Sequence, residues 1–312
     1  MNNKKGFMNV SFGWIFALVV GAFILFMAIY VSVSLIDLQG TNQGAQVSRN
    51  LGMIFDPLET GFEDSKTTVL DISLKSKITN TCNLDSSFGT QGLKTSQKIF
   101  GKEHGGDIEV EFKNKYLFSD KIIEDRYFYI FSRKLDFPYK VADLVFVIPK
   151  SKTYCFSGAH KRITNLTMAL NLDNIVNVSG ECPDNADEKV CFPNSPASDC
   201  TIVVDNAVTQ TTRKLGKTVT FGDDSTMLAS IFSDPEIYEC QMKRIMARVA
   251  SLAYIYDQKK DYIESKNCIT PISLDNLYSQ AINYEDSSDL PLLYSTRNNL
   301  IDNSKFRDCL LW

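Results

Sequence analysis

The feature that most constrains this chain is a run near its N-terminus without Asp, Glu, Lys or Arg. It covers residues 6–36 and is rich in Phe, Ile, Leu and Val. As a helix its 31 residues would rise about 46 Å, which exceeds the roughly 30 Å hydrocarbon core of a bilayer. Soluble cores seldom contain uncharged runs of this length. The run therefore predicts a transmembrane helix at residues 7–36, and no comparable apolar stretch follows Asp37.

The charges beside this run predict its direction. Lys4 and Lys5 precede it, and positive charge next to a membrane span stays in the cytoplasm. Residues 1–6 are then a cytoplasmic basic leader, and the bulk of the chain is extracytoplasmic. A cleaved secretory signal is the alternative, although its apolar core of about 7 to 15 residues is shorter than this run. The sequence favours a single-pass protein of the cell membrane.

The charge balance disfavours a nucleic-acid partner. The chain carries 33 Lys and Arg against 37 Asp and Glu, a formal net charge of -4. Two of the basic residues precede the span, so the outer part is more acidic still and would be repelled by phosphates. The partners expected from the sequence are the lipid bilayer and, outside it, copies of this chain or other surface or filament proteins.

Cysteine placement agrees with this orientation, because all eight cysteines follow the span. An oxidising outer compartment would pair them as disulfides. No two are spaced as C-x-x-C and the chain has only two histidines, so a zinc site is disfavoured. The pairing stays open, except that a straight helix would hold Cys240 and Cys268 about 40 Å apart, too far for a bond. The disulfide candidates are Cys82, Cys155, Cys182, Cys191, Cys200, Cys240, Cys268 and Cys309.

Two sequons lie in the predicted outer part. They begin at Asn165 and Asn177 and read Asn-Leu-Thr and Asn-Val-Ser. Such triplets are glycan acceptors on secreted surfaces, but they also arise by chance. Both asparagines are therefore candidate glycosylation sites.

Residue patterns divide the outer part into three segments. Residues 37–62 place Val47, Leu51, Ile54, Phe55 and Leu58 on one helical face, which predicts a stem helix. Residues 63–232 have alternating runs rich in β-branched and aromatic residues, which predict a β-rich head with mainly antiparallel pairing and one exposed sheet face. The clearest strands are predicted at residues 69–78, 108–112, 126–131, 141–148 and 201–204.

Residues 233–312 predict a helical segment packed on the head. Asp234 or Ser233 suits a helix cap and Pro235 a first turn, so a long helix should begin there and end near residue 266. Shorter helices are expected at 273–282 and 291–303. On the long helix Met242, Met246, Tyr254 and Tyr256 form a stripe that could line a ligand groove but is interpreted as core. Charged residues, Arg244 among them, are placed mainly on the other face. The predicted fold class is α+β.

No motif in the sequence predicts catalysis, and neither an enzyme nor a cofactor is expected. The segment 89–95 has the wrong spacing for a phosphate loop and predicts a flexible turn. His104 and His160 predict exposed loops. The acidic residues that could ligate calcium lack the EF-hand spacing, which favours solvated loops. These acidic residues are Asp184, Asp187, Glu188, Asp223 and Asp224.

The N-terminus resembles the class III signal of type IV pilins and pilin-like proteins. The resemblance rests on Lys4-Lys5-Gly6-Phe7 followed by the uncharged apolar run, with Ser11 where many bacterial pilins carry Glu. It implies cleavage after Gly6, a mature chain beginning at Phe7, and an apolar helix by which subunits bundle. The whole layout is also similar to uncharacterised archaeal membrane-anchored surface proteins.

Three functions follow as hypotheses. The first is a membrane-anchored surface protein with a structural or adhesive role, whose head binds other macromolecules. The second is a minor or tip subunit of a pilin-like filament. The third is a membrane-tethered hydrolase of envelope polymers, which requires two carboxyl groups about 5 to 9 Å apart in an open cleft.

Overall fold

The computed structural model describes residues 13–35, 67–99, 102–268, 270, 272–304 and 311–312. The predicted leader, with the cleavage residues Gly6 and Phe7, lies outside the described residues, as does the predicted stem helix at 37–62. The described part is α+β, with an apolar N-terminal helix, two mixed sheets, C-terminal helices and disulfides.

The N-terminal helix α1 (Gly13–Leu35) has 23 residues, and its apolar side chains are exposed along its length. Among the described residues it is the one helix long and apolar enough to cross a membrane, a test that signal sequences near an N-terminus also pass. An exposed surface of this kind is unfavourable in water, because each apolar side chain gains free energy when it leaves water.

The first sheet has six strands, mostly long, in the order β3-β2-β1-β5-β6-β4. Its neighbours pair antiparallel except β4, which runs parallel to β6. A bulge between Asp71 and Ser76 shifts the register of β1 against β5. All five clear strand predictions are confirmed, four of them in this sheet. Its strands are β1 (Thr68–Asn83), β2 (Thr90–Ile99), β3 (Lys102–Phe112), β4 (Tyr116–Phe118), β5 (Ile122–Asp136) and β6 (Lys140–Pro149).

The second sheet has short strands in the order β12-β11-β10-β9-β7-β8. Strands β7 to β10 run parallel, and β10 to β12 continue as an antiparallel meander. The expectation of mainly antiparallel pairing is therefore wrong for this sheet. Helix α2 (Lys161–Ala169) and two long loops return the chain to the same edge, so successive strands keep one direction. The strands are β7 (Tyr154–Ser157), β8 (Ile175–Val178), β9 (Glu188–Cys191), β10 (Ile202–Asp205), β11 (Thr211–Lys214) and β12 (Lys217–Thr220).

Helices follow the second sheet. α4 (Pro235–Glu264) confirms the predicted long helix, with Pro235 in its first turn. α5 (Asp275–Ile282) and α6 (Leu290–Ser304) confirm the two shorter ones, and a 3-10 turn (Ser287–Asp289) precedes α6. α2 and α3 (Asp224–Phe232) were not expected. Eight of the nine residues of α3 are buried, so it lacks the polar face that reveals a surface helix.

One aromatic core joins both sheets to the helices. The Phe232 ring of α3 lies 6.0 Å from that of Phe131 in the first sheet and 5.0 Å from that of Tyr154 in the second. A smaller apolar cluster includes Phe128 and Ile130. Because successive residues of a strand face opposite sides, the run of buried residues at 128–132 shows that the middle of β5 is buried on both faces. The expectation of one exposed face is wrong there, whereas residues 122–126 alternate between exposed and buried as expected.

Disulfides connect described parts of the head. Cys82–Cys240 joins β1 to α4, Cys155–Cys182 joins β7 to the loop after β8, and Cys191–Cys200 joins β9 to the loop before β10. Cys268 is also disulfide-bonded. Cys309 lies outside the described residues. The sequence separations of the three linked pairs are 158, 27 and 9, so the first bond alone connects distant parts of the chain.

Candidate functional site

An apolar groove of about 670 Å³ opens between α4, α5 and the turn that joins β1 to β2. We call this surface the α4–α5 groove. Its lining contains one Lys and no carboxylate. The lining residues are Leu84, Ser87, Lys243, Ala247, Ala250, Ser251, Tyr254, Ile255, Tyr278, Ala281, Ile282 and Tyr284.

Small side chains form part of the groove, and large apolar ones stand beside them. Ala247, Ser251 and Tyr254 follow at spacings of four and three along α4, which places them on one helical face. The Tyr254 and Ile255 side chains are 57% and 58% exposed. Met242 and Met246 are buried, as the core interpretation of the stripe requires. That interpretation is wrong for Tyr254, which lines the groove.

Arg244 anchors α4 from the inner side of this region. The sequence pattern predicts it on the charged, exposed face of α4, yet only 1% of it is exposed. Its Nε donates to Phe88 O at 3.1 Å, and its Nη1 donates to Lys115 O at 2.8 Å and Gln241 Oε1 at 2.7 Å. Its Nη2 donates to Phe112 O at 3.4 Å and Lys113 O at 2.9 Å. All five donors therefore have acceptors, which is what permits burial of this cation.

No acceptor of Arg244 is a carboxylate, so backbone and amide dipoles replace a counter-ion. The guanidinium also lies 5.0 Å from the centre of the Tyr116 ring, which adds a cation–π contact. Burial lowers the pKa of Arg244, although an arginine stays protonated in proteins. Because the acceptors come from the turn before β2 and the segment before β4, this one side chain fixes both against α4.

A buried chain of amides extends this anchor into the first sheet. Gln241 Nε2 donates to Gln91 Oε1, and Gln91 Nε2 donates to Asn80 Oδ1 at 2.5 Å. Asn80 Nδ2 in turn donates to Ser119 Oγ at 2.9 Å. Together with the Cys82–Cys240 bond, this network holds one wall of the groove rigidly against another.

A second buried cluster joins the two sheets through charge. Asp120 accepts from Lys214 Nζ at 2.6 Å and from Lys152 Nζ at 2.8 Å. Lys152 also pairs with Glu188 at 2.6 Å, and Lys214 donates to two carbonyls at the end of α3. Burial alone would raise the pKa of Asp120, but the Lys214 and Lys152 ammonium groups outweigh it and lower that pKa. We call this cluster the Asp120 junction.

The Asp120 junction holds the two sheets together. Every charge in it is matched by an opposite charge or by carbonyls, and none of its residues lines the α4–α5 groove. Three further clefts hold at most one carboxylate each, Asp205 in one and Asp143 in another. The paired carboxylates that the hydrolase hypothesis requires are not found in any of these clefts.

The remaining sequence candidates take up local structural roles. His160 caps α2 and is exposed. His104 lies in β3, paired with Gln97 in β2, so the prediction of a loop is wrong there. Gly89 has φ of 58° in the turn before β2, and the segment that follows is strand and not a flexible turn.

The proposed acidic ligands are used in the same way. Asp223 caps α3, Asp224 pairs with Arg162 at 2.7 Å, and the Asp187 carboxylate accepts from the Thr153 amide. Within the described ranges no group of three or more His, Cys, Asp or Glu side chains is placed to hold a metal ion.

The two sequons meet in the fold. Asn165 is exposed on α2, whereas Asn177 is half-buried on β8. Thr167 of the first sequon donates from its hydroxyl to Asn177 Oδ1 at 3.0 Å. The Asn165 side chain thus makes no hydrogen bond to another described residue, whereas the Asn177 side chain holds α2 against the sheet.

Comparisons with protein-family models, with curated proteins and with solved structures find no match for this chain. The function of this chain therefore has to be inferred from the chemistry of its own residues. The sequence offers a groove only as the rejected alternative for the Met and Tyr stripe, of which Tyr254 does line the α4–α5 groove. Its signal was present in the small residues Ala247, Ala250 and Ser251, which follow one side of a helix otherwise rich in large side chains.

Proposed function

We propose that this protein is a single-pass, N-terminally anchored surface protein whose disulfide-bonded head lies outside the cytoplasm and binds another protein. The observation that carries the proposal is α1, whose 23 residues expose apolar side chains that a bilayer would cover. The paired cysteines of the head support its location on the oxidising side of that membrane.

The α4–α5 groove is the proposed contact surface. From Lys243 to Ile255 it follows about 18 Å of helix, which is room for roughly three turns of a partner helix. Its small residues allow a close backbone approach, and its mainly apolar lining favours an occupant with an apolar face. We therefore assign the groove to the apolar face of an amphipathic helix from a neighbouring protein.

Site-specific photo-crosslinking tests this contact. A photoreactive amino acid at Ser251 in native membranes should give one discrete adduct, because this residue lies inside the groove. Adding Ile255→Glu should remove that adduct. It should change the free energy of unfolding by no more than about 0.5 kcal/mol, because the Ile255 side chain is exposed. Val208→Glu is the matched control, because its side chain is 84% exposed and lies outside the groove. An adduct that survives Ile255→Glu would contradict the assignment.

A filament subunit is the second proposal, because the exposed apolar surface of α1 suits packing against copies of itself as well as lipid. Sequencing the N-terminus of the mature protein separates the two. A chain that begins at Phe7 supports the filament, and an intact Lys4-Lys5 leader removes it.

A further inference from the structure

We infer that this protein carries one N-linked glycan and that the acceptor is Asn165 rather than Asn177. The inference rests on the proposed function, because saccharide transfer to a sequon takes place on the outer side of the membrane. The two sequons differ in their third residue, Thr167 in the first and Ser179 in the second, and their asparagines also differ in their surroundings.

The surroundings of Asn165 leave space for a bulky group. It lies on the exposed face of α2, and its side chain makes no hydrogen bond to any described residue. Met168 follows one turn later on the same face, and its side chain is 66% exposed. A saccharide on Asn165 would extend into solvent and cover this apolar side chain without displacing any part of the head.

The Asn177 side chain takes part in the packing of the head. It lies on β8, the edge strand of the second sheet, and its Oδ1 accepts from Thr167 Oγ1 at 3.0 Å. The same hydroxyl also donates toward Ile163 O and Thr164 O, so the contact belongs to the packing of α2. A saccharide on Asn177 Nδ2 would leave Oδ1 able to accept, but it would lie beside α2 on the same side chain that holds this helix.

The order of events also follows from the burial of Thr167. The transferase recognises the threonine of the sequon, yet only 1% of Thr167 is exposed in the folded head. Transfer to Asn165 must therefore precede the docking of α2, and a chain that received a saccharide at Asn177 at that stage would be hindered from docking α2. In that step the Asn165 amide nitrogen forms a bond to C1 of a lipid-linked saccharide and loses one proton. The C1–O bond breaks, and the lipid phosphate leaves with the electron pair.

Intact mass measurement of the full chain from its native membranes tests the inference. Asn165→Gln removes the first sequon and Ser179→Ala the second, and both change exposed residues that hold no part of the core. The wild type should exceed its sequence mass by a single glycan. Asn165→Gln should lose the whole excess, and Ser179→Ala should keep it.

Three results would overturn the inference: no mass excess, an excess that survives Asn165→Gln, or one lost in Ser179→Ala. Labelling the same cells with a membrane-impermeant amine reagent separates this failure from failure of the proposed function. Labelled head lysines with no mass excess would remove the glycan alone. Protected lysines with no mass excess would remove both.

Discussion

The two sheets of the head reach stability by different means. The first has strands of up to 16 residues, paired mainly antiparallel, and its one disulfide reaches 158 residues along the chain to α4. The second has four-residue strands, four of them parallel, and its two disulfides close short loops of 27 and 9 residues. Long ladders hold themselves in register, whereas short parallel strands depend on the connections between them.

The difference teaches where each kind of crosslink acts. Closing a long loop removes more freedom from the unfolded chain than closing a short one. Cys82–Cys240 therefore stabilises the arrangement of whole elements. Cys155–Cys182 and Cys191–Cys200 stabilise the loops that surround each parallel strand.

The largest expected effect is the loss of the long crosslink. Replacing Cys82 and Cys240 together by Ala should lower the free energy of unfolding by about 5 kcal/mol, from the chain entropy of so long a loop. The matched control replaces Cys155 and Cys182 by Ala, for which the same relation gives about 3.5 kcal/mol. Urea unfolding of the full chain in detergent measures both. Equal losses would show that loop length does not govern these bonds.

The next effect concerns the Asp120 junction, where the two sheets meet. Asp120→Asn leaves Lys214 buried without its carboxylate, and breaking a buried pair in this way costs about 3–5 kcal/mol. Glu236→Gln is the control. Its ion pair with Lys217 is exposed, so this change should lower the free energy of unfolding by less than about 1 kcal/mol. Urea unfolding again provides the measurement. A small loss in Asp120→Asn would mean that the sheets are held by the aromatic core alone.

The junction also predicts a pH dependence. The folded head lowers the pKa of Asp120 below its ordinary value, so the stability it supplies is present above that value and is lost as the pH falls. Acidification through about pH 4 should therefore destabilise the wild type more than Asp120→Asn. Parallel melting temperatures across this range test the sign, and identical curves would contradict it.

The smallest expected effect is a gain in the second sheet. Leu215 has φ of 51° and Gly216 has φ of 73° in the turn between β11 and β12, and the Leu215 side chain is 72% exposed. Asn tolerates this left-handed backbone better than Leu, so Leu215→Asn should stabilise the head by about 0.5–1 kcal/mol. Leu215→Ala keeps the unfavourable backbone and should show no such gain. A gain with Ala as large as that with Asn would assign the effect to the lost side chain.

The same contrast explains which elements could be predicted. Long strands and α4 have enough residues to show a period, and Pro235 signals where α4 begins. Four-residue strands are too short to show one, and their parallel order depends on crossovers that no local pattern specifies. α3 is buried on nearly every side, so the amphipathic pattern that would have revealed it is absent.

The site was less predictable than the fold, for a related reason. Arg244 has a charge that predicts an exposed position, but four carbonyls from segments more than 120 residues away neutralise the cost of its burial. Only the folded chain brings those carbonyls together. The groove likewise depends on how α5 lies against α4, which the sequence of neither helix specifies.

The central claim is that α1 anchors the chain with its head outside the cytoplasm, and surface labelling tests it most directly. A membrane-impermeant, amine-reactive biotin can be added to intact cells and to lysed cells, followed by mass spectrometry of head peptides that contain Lys161 and Lys266, both exposed. The account predicts equal labelling of these lysines before and after lysis. Labelling that appears only after lysis would place the head in the cytoplasm and contradict the account.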